Sequence, residues 1–583
     1  MAQALHQPTM DALAGVDARF QALDKLEALV DEVVREKSRH RSNLLLKRGV
    51  HAWRKGEISR SAQWALKATE SDPENSKAFH LLGMALERMG HLHKALVTYE
   101  RAFQLDPADP ELLINLGLTA WNLKLTEGAA GMFRLYIASC PDSPLGYNNL
   151  GSVQADMGNP DQAIETLRMA LHRMPNKAIL WNALATVLAE EGRAEESLVF
   201  YQEAANLEPN FARVYHNLGY ALQHLSRMQE ALDCYDKALE LVVDPAERIE
   251  TQHSRSICLI GCGKIEEGFR EYEIRNHPRF RAYFHHMIDA PIWAGENPAG
   301  KKLLLVAEQG LGDEIMFADI LADAQKAVGE TGKLQICVDP RLVPLVQRSF
   351  PDAEVGTYDD RTLLDNDGNK ALRLVPFASG ANKPDLWAPM GSALQFYRKS
   401  LADFPHKAFL KPDPRRIAEF KEKLAVLPGK KVGICWRSMM TGAKRGKYFA
   451  AIDIWAPLLK TPGLSFVNLQ YGDCAAEIAR AEEKFGVTIH QIEGLDLKQD
   501  IDGTAALAAA LDLVLSAPTA AAHTAASVGA PVWFLSAALG WPQLGTDEYP
   551  WYARAKVFRP EKFADWDELM PRLSAALVAF AAE

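Results

Sequence analysis

Hydrophobic positions keep two different rhythms along this chain of 583 residues. From about Ser42 to Pro245 they recur at helical spacing within a block that repeats every 34 residues, marked by Pro73, Pro107, Pro141, Pro175 and Pro209. Leu82-Gly83, Leu116-Gly117, Leu150-Gly151 and Leu218-Gly219 stand in phase within it, and small residues follow twelve positions on at Ala95, Ala129, Ala163 and Ala231. A larger side chain comes next, at Tyr99, Phe133, Leu167, Tyr201 and Tyr235. This spacing predicts a helix, a turn and a second helix per block, with proline stopping the second because it cannot continue the hydrogen-bond ladder. A looser unit, Gly263 to Pro278, ends the array. Beyond it the rhythm changes to short apolar runs: Lys302–Glu308, Leu334–Val338, Lys430–Trp436, Leu464–Gln470, Val487–Ile492, Leu511–Ala517 and Pro531–Ala537. Strands alternating with helical patterns predict parallel sheets covered by helices.

A length of 583 residues, at roughly 150 per domain, predicts three or four units. The boundaries read as an N-terminal helical segment 1–41, repeats 42–282 (about seven), a first α/β lobe 283–404 and a second lobe 405–583, joined by the proline-rich Phe404–Pro414. The N-terminal segment is charged and heptad-like (Leu13, Phe20, Leu23, Leu26, Leu29, Val33). It is expected to cap the stack, because terminal repeats need a modified end, with binding of a partner helix as the alternative. Small residues throughout the blocks let helices approach closely.

Charge changes the picture by exclusion. A net charge of −10 argues against a general nucleic-acid binder. No apolar run is long enough to span a bilayer, and the N-terminus lacks a secretory layout. The seven cysteines show neither disulfide nor zinc spacing. A cytoplasmic protein is expected, with no metal and no cofactor.

The block is similar to the tetratricopeptide repeat, whose stacked helices form a superhelix that binds proteins and peptides. One position before the Leu-Gly pairs stand Asn115, Asn149 and Asn217, interrupted by Ala183. A column of amides offers donors and acceptors to a peptide backbone without reading its sequence, as in the asparagine ladder of O-linked N-acetylglucosamine transferase, which it resembles. The bland reading, that Asn is common at this repeat position, stays open beside it.

In the second half, AEQGLGDEIMFA (Ala307 to Ala318) places two glycines and acids between a strand and a helix. It resembles the first strand-to-helix turn of the ADP-heptose transferase superfamily, glycosyltransferase family 9. The upstream EYEIR (Glu271 to Arg275) and PIWAGE (Pro291 to Glu296) segments resemble bacterial proteins that fuse tetratricopeptide repeats to such a domain. Flagellin glycosyltransferases of alphaproteobacteria share this order of parts. The resemblance implies a GT-B fold, two Rossmann-like lobes facing each other across a cleft with ligands at the strand ends. It implies that Gly310 and Gly312 permit a tight turn and close approach of a donor, and that Asp313 is the catalytic base for a Ser or Thr hydroxyl. The competing role for Asp313 is a helix N-cap. Glu314 and Glu308 are the neighbours that stand in for it if it is not the base.

For the donor, SAPTAAAHTAASVGAPVW (Ser516 to Trp533) reads as strand, turn, helix and strand. Thr519, Ala520 and Ala521 open that helix, so free N–H groups and the helix dipole face an anion. His523 falls on the family's donor position, with packing in the sheet–helix junction as the alternative. Pro518 stands where relatives carry Asp. This departure points to a different donor, such as a CMP-linked nonulosonic acid of the pseudaminic type, or to weakened activity. Arg437, Lys444, Arg445 and Lys447 follow a strand end and suit stabilisation of a leaving phosphate. Gln470 and Asp502 match positions near the donor nucleoside.

The sequence therefore reads as a protein O-glycosyltransferase taking a sugar from a nucleotide donor to Ser or Thr of an acceptor held by the repeats, with flagellin implied as that acceptor. Two other readings compete: a protein-binding adaptor or secretion chaperone with a degenerate transferase half, and a lipopolysaccharide core transferase.

Overall fold

The computed structural model describes residues 7–280, 283–365, 368–439 and 446–583. The chain divides into two compact units, residues 1–175 with 364–369, and residues 176–363 with 370–583. The division falls after Pro175, inside the repeat array.

The first unit is helical. A single helix, Gln7–Arg54, runs without a break through residue 41 into the first repeat and pairs with Ile58–Ser71. Residues 27–37 of this helix are exposed, Leu29, Val30, Val33 and Val34 among them, so they do not cap the repeats as expected. Pairs follow at Ser76–Arg88 with Leu92–Leu105, Pro110–Asn122 with Thr126–Ser139, and Pro144–Asp156 with Pro160–Arg173. The Leu-Gly signature has a steric cause. A Cβ on Gly83 would stand 2.6 Å from the Tyr99 ring, and one on Gly117 2.6 Å from Phe133. The glycine thus lets the second helix lay its buried aromatic ring on the backbone of the first. Each period proline lies two residues past a helix end, as at Ser71 and Pro73.

The second unit opens with the same motif: Ala178–Glu190 with Ala194–Leu207, Ala212–His224 with Met228–Leu241, then Pro245–Gly261 with the short Ile265–Glu271. Strands then take over. β2 (Lys302–Val306), β3 (Lys333–Val338), β4 (Glu354–Thr357) and β7 (Leu386–Pro389) form a parallel sheet in the order β4-β3-β2-β7, with Leu304 opposite both Gln335 and Trp387. Beside it β1 (His285–Met287), β6 (Gly368–Leu374) and β5 (Asp359–Asp365) form a small sheet, β1-β6-β5.

The second lobe holds β8 (Lys430–Cys435), β9 (Leu464–Asn468), β10 (Ile489–His490), β11 (Leu513–Ser516), β12 (Val532–Leu535) and β13 (Ala555–Phe558). Its parallel order, β10-β9-β8-β11-β12-β13, is that of a doubly wound sheet whose strand sequence reverses between β8 and β11. These strands are nearly continuous apolar runs because helices cover both faces. The Phe404–Pro414 linker is ordered, its Phe409 and Leu410 amides donating to the Ser527 carbonyl at 3.0 and 3.1 Å. Among the described residues no helix is long and apolar enough to cross a membrane.

Candidate functional site

The turn after β2 is held from behind. Glu308 is buried and accepts two hydrogen bonds from Arg275, at 3.1 and 2.5 Å, and one from the Gly391 amide at 2.9 Å. The Gln309 side chain donates to the Tyr272 hydroxyl, and its backbone takes φ 67. The EYEIR segment therefore anchors this turn. Glu308 is consumed by the anchor and is no substitute base. The left-handed residue is Gln309, whereas Gly310 has φ −99, so the glycine is not there for turn strain. Gly312 has a different reason: its Cα faces the second lobe, where a Cβ would meet His523 Cδ2 at 3.4 Å and the Ala520 amide at 3.8 Å.

Gly310 is the N-cap of the helix Leu311–Phe317, and Asp313 is the third residue inside it. The N-cap reading of Asp313 is thereby corrected. Burial pushes the Asp313 carboxyl up to about 6; the Gly310 amide opposes this and the nearby Glu308 charge adds to it. Glu314 faces the other way. It is fully buried, accepts from the Asp339 amide at 2.9 Å and the Tyr358 hydroxyl at 2.7 Å, and is raised by burial to about 7.

Asp313 lines a cavity of about 470 Å³ between the two lobes. On the facing wall are Pro518, Thr519, Ala520, Ala521 and His523, at the strand-order reversal of the second sheet. Ala520–Ser527 is a helix whose first N–H groups have no intrahelical acceptor. Its N-cap Thr519 makes no side-chain cap bond; the hydroxyl lies 3.4 Å from Ser516 Oγ and 3.5 Å from Cys435 Sγ. His523 is buried, its Nδ1 2.8 Å from the Tyr552 hydroxyl, with Phe534 and Tyr549 around it. Burial lowers it to about 4, so it is neutral at physiological pH and packs the junction as well as bordering the cavity.

Four donor expectations are corrected. Gln470 is buried, its Oε1 accepting from the Trp436 and Arg437 amides and its Nε2 donating to the Arg437 and Tyr471 carbonyls, so it stitches β8 to β9. Arg437 is paired with Glu477 and donates to the Asp473 carbonyl. Lys447 donates to the Ala189 and Glu190 carbonyls, capping the C-terminus of the helix Ala178–Glu190. Asp502 is a ligand of Arg348, at 2.6 and 3.0 Å, and not of the cavity. Lys444 and Arg445 lie outside the described residues.

Among the described residues, the cations that line the cavity are Arg341 and Lys498. Arg341 is fixed by Asp339 at 2.8 Å and by the Lys498 carbonyl at 3.2 Å. Met439, Tyr471, Leu497 and Ile501 supply an apolar slot at the β8–β9 side. None of these carries a sequence signature. A residue just past a parallel strand's carboxyl end, as Tyr471 is after β9, was the one available signal.

In the repeats, Asn115 Nδ2 lies 2.9 Å from His80 Nε2, and Asn217 Nδ2 donates to Asn182 at 3.0 Å. Asn149 accepts from its neighbour Asn148 at 3.0 Å. All three are half-buried, and two of them link adjacent repeats. Among the described residues no three His, Cys, Asp or Glu side chains cluster as metal ligands.

Sequence profiles of the tetratricopeptide repeat match residues 76–119, 146–172, 186–226 and 212–242. Solved structures similar to the chain include YrrB, described as a tetratricopeptide-repeat protein with an unusual peptide-binding site, at 21% identity over 33% of this chain and 98% of that one, with a TM-score of 0.24. A thermophilic repeat protein of Thermus thermophilus matches at 26% identity over 31% and 98%, TM-score 0.28. One from Parabacteroides merdae matches at 16% over 40% and 91%, TM-score 0.36. Similarity over the whole length is to protein FlbA of Caulobacter vibrioides, 37% identical over 584 residues, covering 100% of this chain and 96% of that protein. The likeness spans repeats and sheets alike, and the chain belongs to the FlbA family.

Proposed function

We propose that this chain is a protein O-glycosyltransferase with a GT-B catalytic half, moving a sugar from a nucleotide donor to Ser or Thr hydroxyls of a repeat-bound acceptor. One observation carries the reading: Asp313 of one lobe and the helix N-terminus at Thr519–Ala521 of the other line a single cavity. A nucleotide seated there places its phosphate on the Ala520 and Ala521 amides, with Arg341 and Lys498 gathering leaving-group charge. The slot of Met439, Tyr471 and Ile501 takes the base. Asp313 removes the proton as the hydroxyl attacks the anomeric carbon; a carboxyl poised near 6 is ionised at neutral pH and basic enough to share a proton. The nucleotide phosphate leaves with the bonding electrons. Flagellin is the acceptor to which the order of parts points, and a CMP-linked nonulosonic acid is the donor that Pro518 in place of Asp favours.

The adaptor reading draws on a specific observation too, since Arg437 and Lys447 are engaged elsewhere. Thermal shift with CMP, UDP, GDP and ADP separates the two. Stabilisation by one nucleotide supports the transferase, and none with any of the four favours the adaptor. Intact mass of co-expressed flagellin, with the wild type and with Asp313→Ala, then tests transfer itself.

A further inference from the structure

A second cavity, of about 420 Å³, lies on the other side of Pro518, which borders both. It sits at the carboxyl ends of β11 and β12, with Ser536 to Trp541 on one side and Tyr448 and Phe563 on another. Met228 and Ile257, from repeat helices of the same unit, close it. We infer that this cavity seats one bulky apolar side chain of the acceptor polypeptide, at a fixed offset from the hydroxyl being modified. The inference rests on the transferase reading for its second half, the offset.

The walls decide the class of occupant. Most of their polar side-chain groups are already engaged: His224 bonds the Tyr448 hydroxyl through Nε2 and the Tyr220 carbonyl through Nδ1, at 2.7 Å for the latter. Gln223 Oε1 accepts from the Tyr235 hydroxyl at 2.6 Å, and Ser536 Oγ donates to the Ala538 carbonyl at 2.7 Å. A sugar or phosphate entering here would have to give up water without equal replacement, whereas an aromatic or aliphatic side chain loses nothing. Nucleotide chemistry is provided for in the neighbouring cavity, by the helix N-terminus and the Arg341 and Lys498 cations. Repeat helices form part of the wall, and repeats of this kind present side chains to polypeptides. Continuity through Pro518 then puts a side chain in this slot beside the site of transfer.

The test uses the full-length chain, immobilised, and a library of random peptides with one central Ser or Thr. The wild type is expected to enrich Phe, Tyr, Leu or Met at one offset by about fivefold or more. Ala538→Trp, which fills the cavity from a half-exposed position, is expected to abolish that enrichment, and Met228→Ala, which widens it, to shift the preference towards Trp. Nucleotide thermal shifts stay unchanged in both. Absence of positional enrichment, or enrichment that survives both variants, overturns the inference. Loss of the nucleotide shift in a folded Ala538→Trp also overturns it, assigning the cavity to the base. Should Ala538→Trp not fold, Met228→Ala alone decides. Failure of the transferase reading shows separately, as peptide selection without a response to any nucleotide.

Discussion

Arg348, ending the helix Val343–Ser349 of the first lobe, holds Asp502 of the second lobe by hydrogen bonds of 2.6 and 3.0 Å. Asp502 is buried and its partner is half-buried, so this is an ion pair between the lobes in a partly desolvated setting. Arg348→Gln and Asp502→Asn are each expected to destabilise by about 1–2 kcal/mol, with the double variant losing about 1 kcal/mol less than the sum. Chemical unfolding of the three variants measures the coupling. A loss of nucleotide binding in Asp502→Asn that Arg348→Gln does not reproduce would return Asp502 to the nucleoside.

Asp313 links activity and stability with opposite signs. The base works ionised, so kcat/KM is expected to fall on the acid side with an apparent pKa of about 6. Asp313→Asn should lower kcat by about 10²-fold or more, at little change in nucleotide affinity. The folded value lies above the ordinary 3.8, so stability from this group is full below that value and lost as pH rises through about 6. Asp313→Asn is therefore more stable than the wild type at pH about 7.5, by something on the order of 2 kcal/mol, and the gap closes in acid. Subtracting the two unfolding curves isolates this carboxyl from Glu314, which titrates nearby. A wild type as stable as the variant at neutral pH contradicts the account.

Gly312 governs how closely the two strand-to-helix elbows, the turn after β2 and the turn after β11, approach each other. With His523 at 3.4 Å and the Ala520 amide at 3.8 Å from an added Cβ, Gly312→Ala fits at ordinary contact distance. Gly312→Leu wedges the helices apart and should abolish the nucleotide-induced thermal shift, at a stability cost of about 1–3 kcal/mol. Equal nucleotide shifts in Ala and Leu variants would show that the approach of the elbows does not matter.

Much of this was legible beforehand. The 34-residue period gave the repeats because a large side chain of the second helix packs on a small residue of the first, Tyr99 on Gly83, Phe133 on Gly117, Leu167 on Gly151 and Tyr235 on Gly219, and all seven apolar runs became strands. Val487–Ile492 kept only Ile489–His490 of its length. The strands β1, β4, β5, β6, β7 and β13 were missed: polar residues or glycine break the apolar run in β1, β4, β5, β6 and β13, and β7 is apolar but only four residues long. Around the site, the elbows were readable from small residues at strand ends, whereas the destinations of long polar side chains were not. Lys447 and Arg437 occupy the expected strand-end loop, yet their charges go to helix carbonyls and Glu477, a choice made by tertiary neighbours far along the chain. Arg341 and Lys498 came unannounced for the same reason.

That exchange of cations is testable by salt and substitution. Lys498→Ala should weaken nucleotide binding about five- to tenfold, with a shallower salt dependence, since a phosphate loses a charged partner. Lys447→Ala should leave nucleotide affinity within about twofold and lower stability by about 1 kcal/mol, since it frees the last carbonyls of Ala178–Glu190. Isothermal titration with the nucleotide identified by thermal shift distinguishes them. Reversed effects would restore Lys447 to the donor.

The repeats carry one more period that the proline ladder conceals. Gly56, Gly90, Lys124, Gly158, Gly192 and Ser226 stand 34 apart and all have positive φ, between 59° and 83°. Each follows the first helix of its pair, where the left-handed conformation ends the helix and glycine is favoured for want of a Cβ. Lys124, at φ 64°, and Ser226, at 59°, are the two exceptions. Lys124→Gly is expected to stabilise by about 0.5–1 kcal/mol, the strain relieved exceeding the extra freedom glycine gives the unfolded chain. Ser226→Gly should gain less, because Ser226 Oγ accepts from the Leu539 amide at 3.1 Å and that bond is lost. Thermal unfolding of both variants checks the order. Were Lys124→Gly destabilising, the terminal turn would owe its geometry to its neighbours and not to the left-handed residue itself.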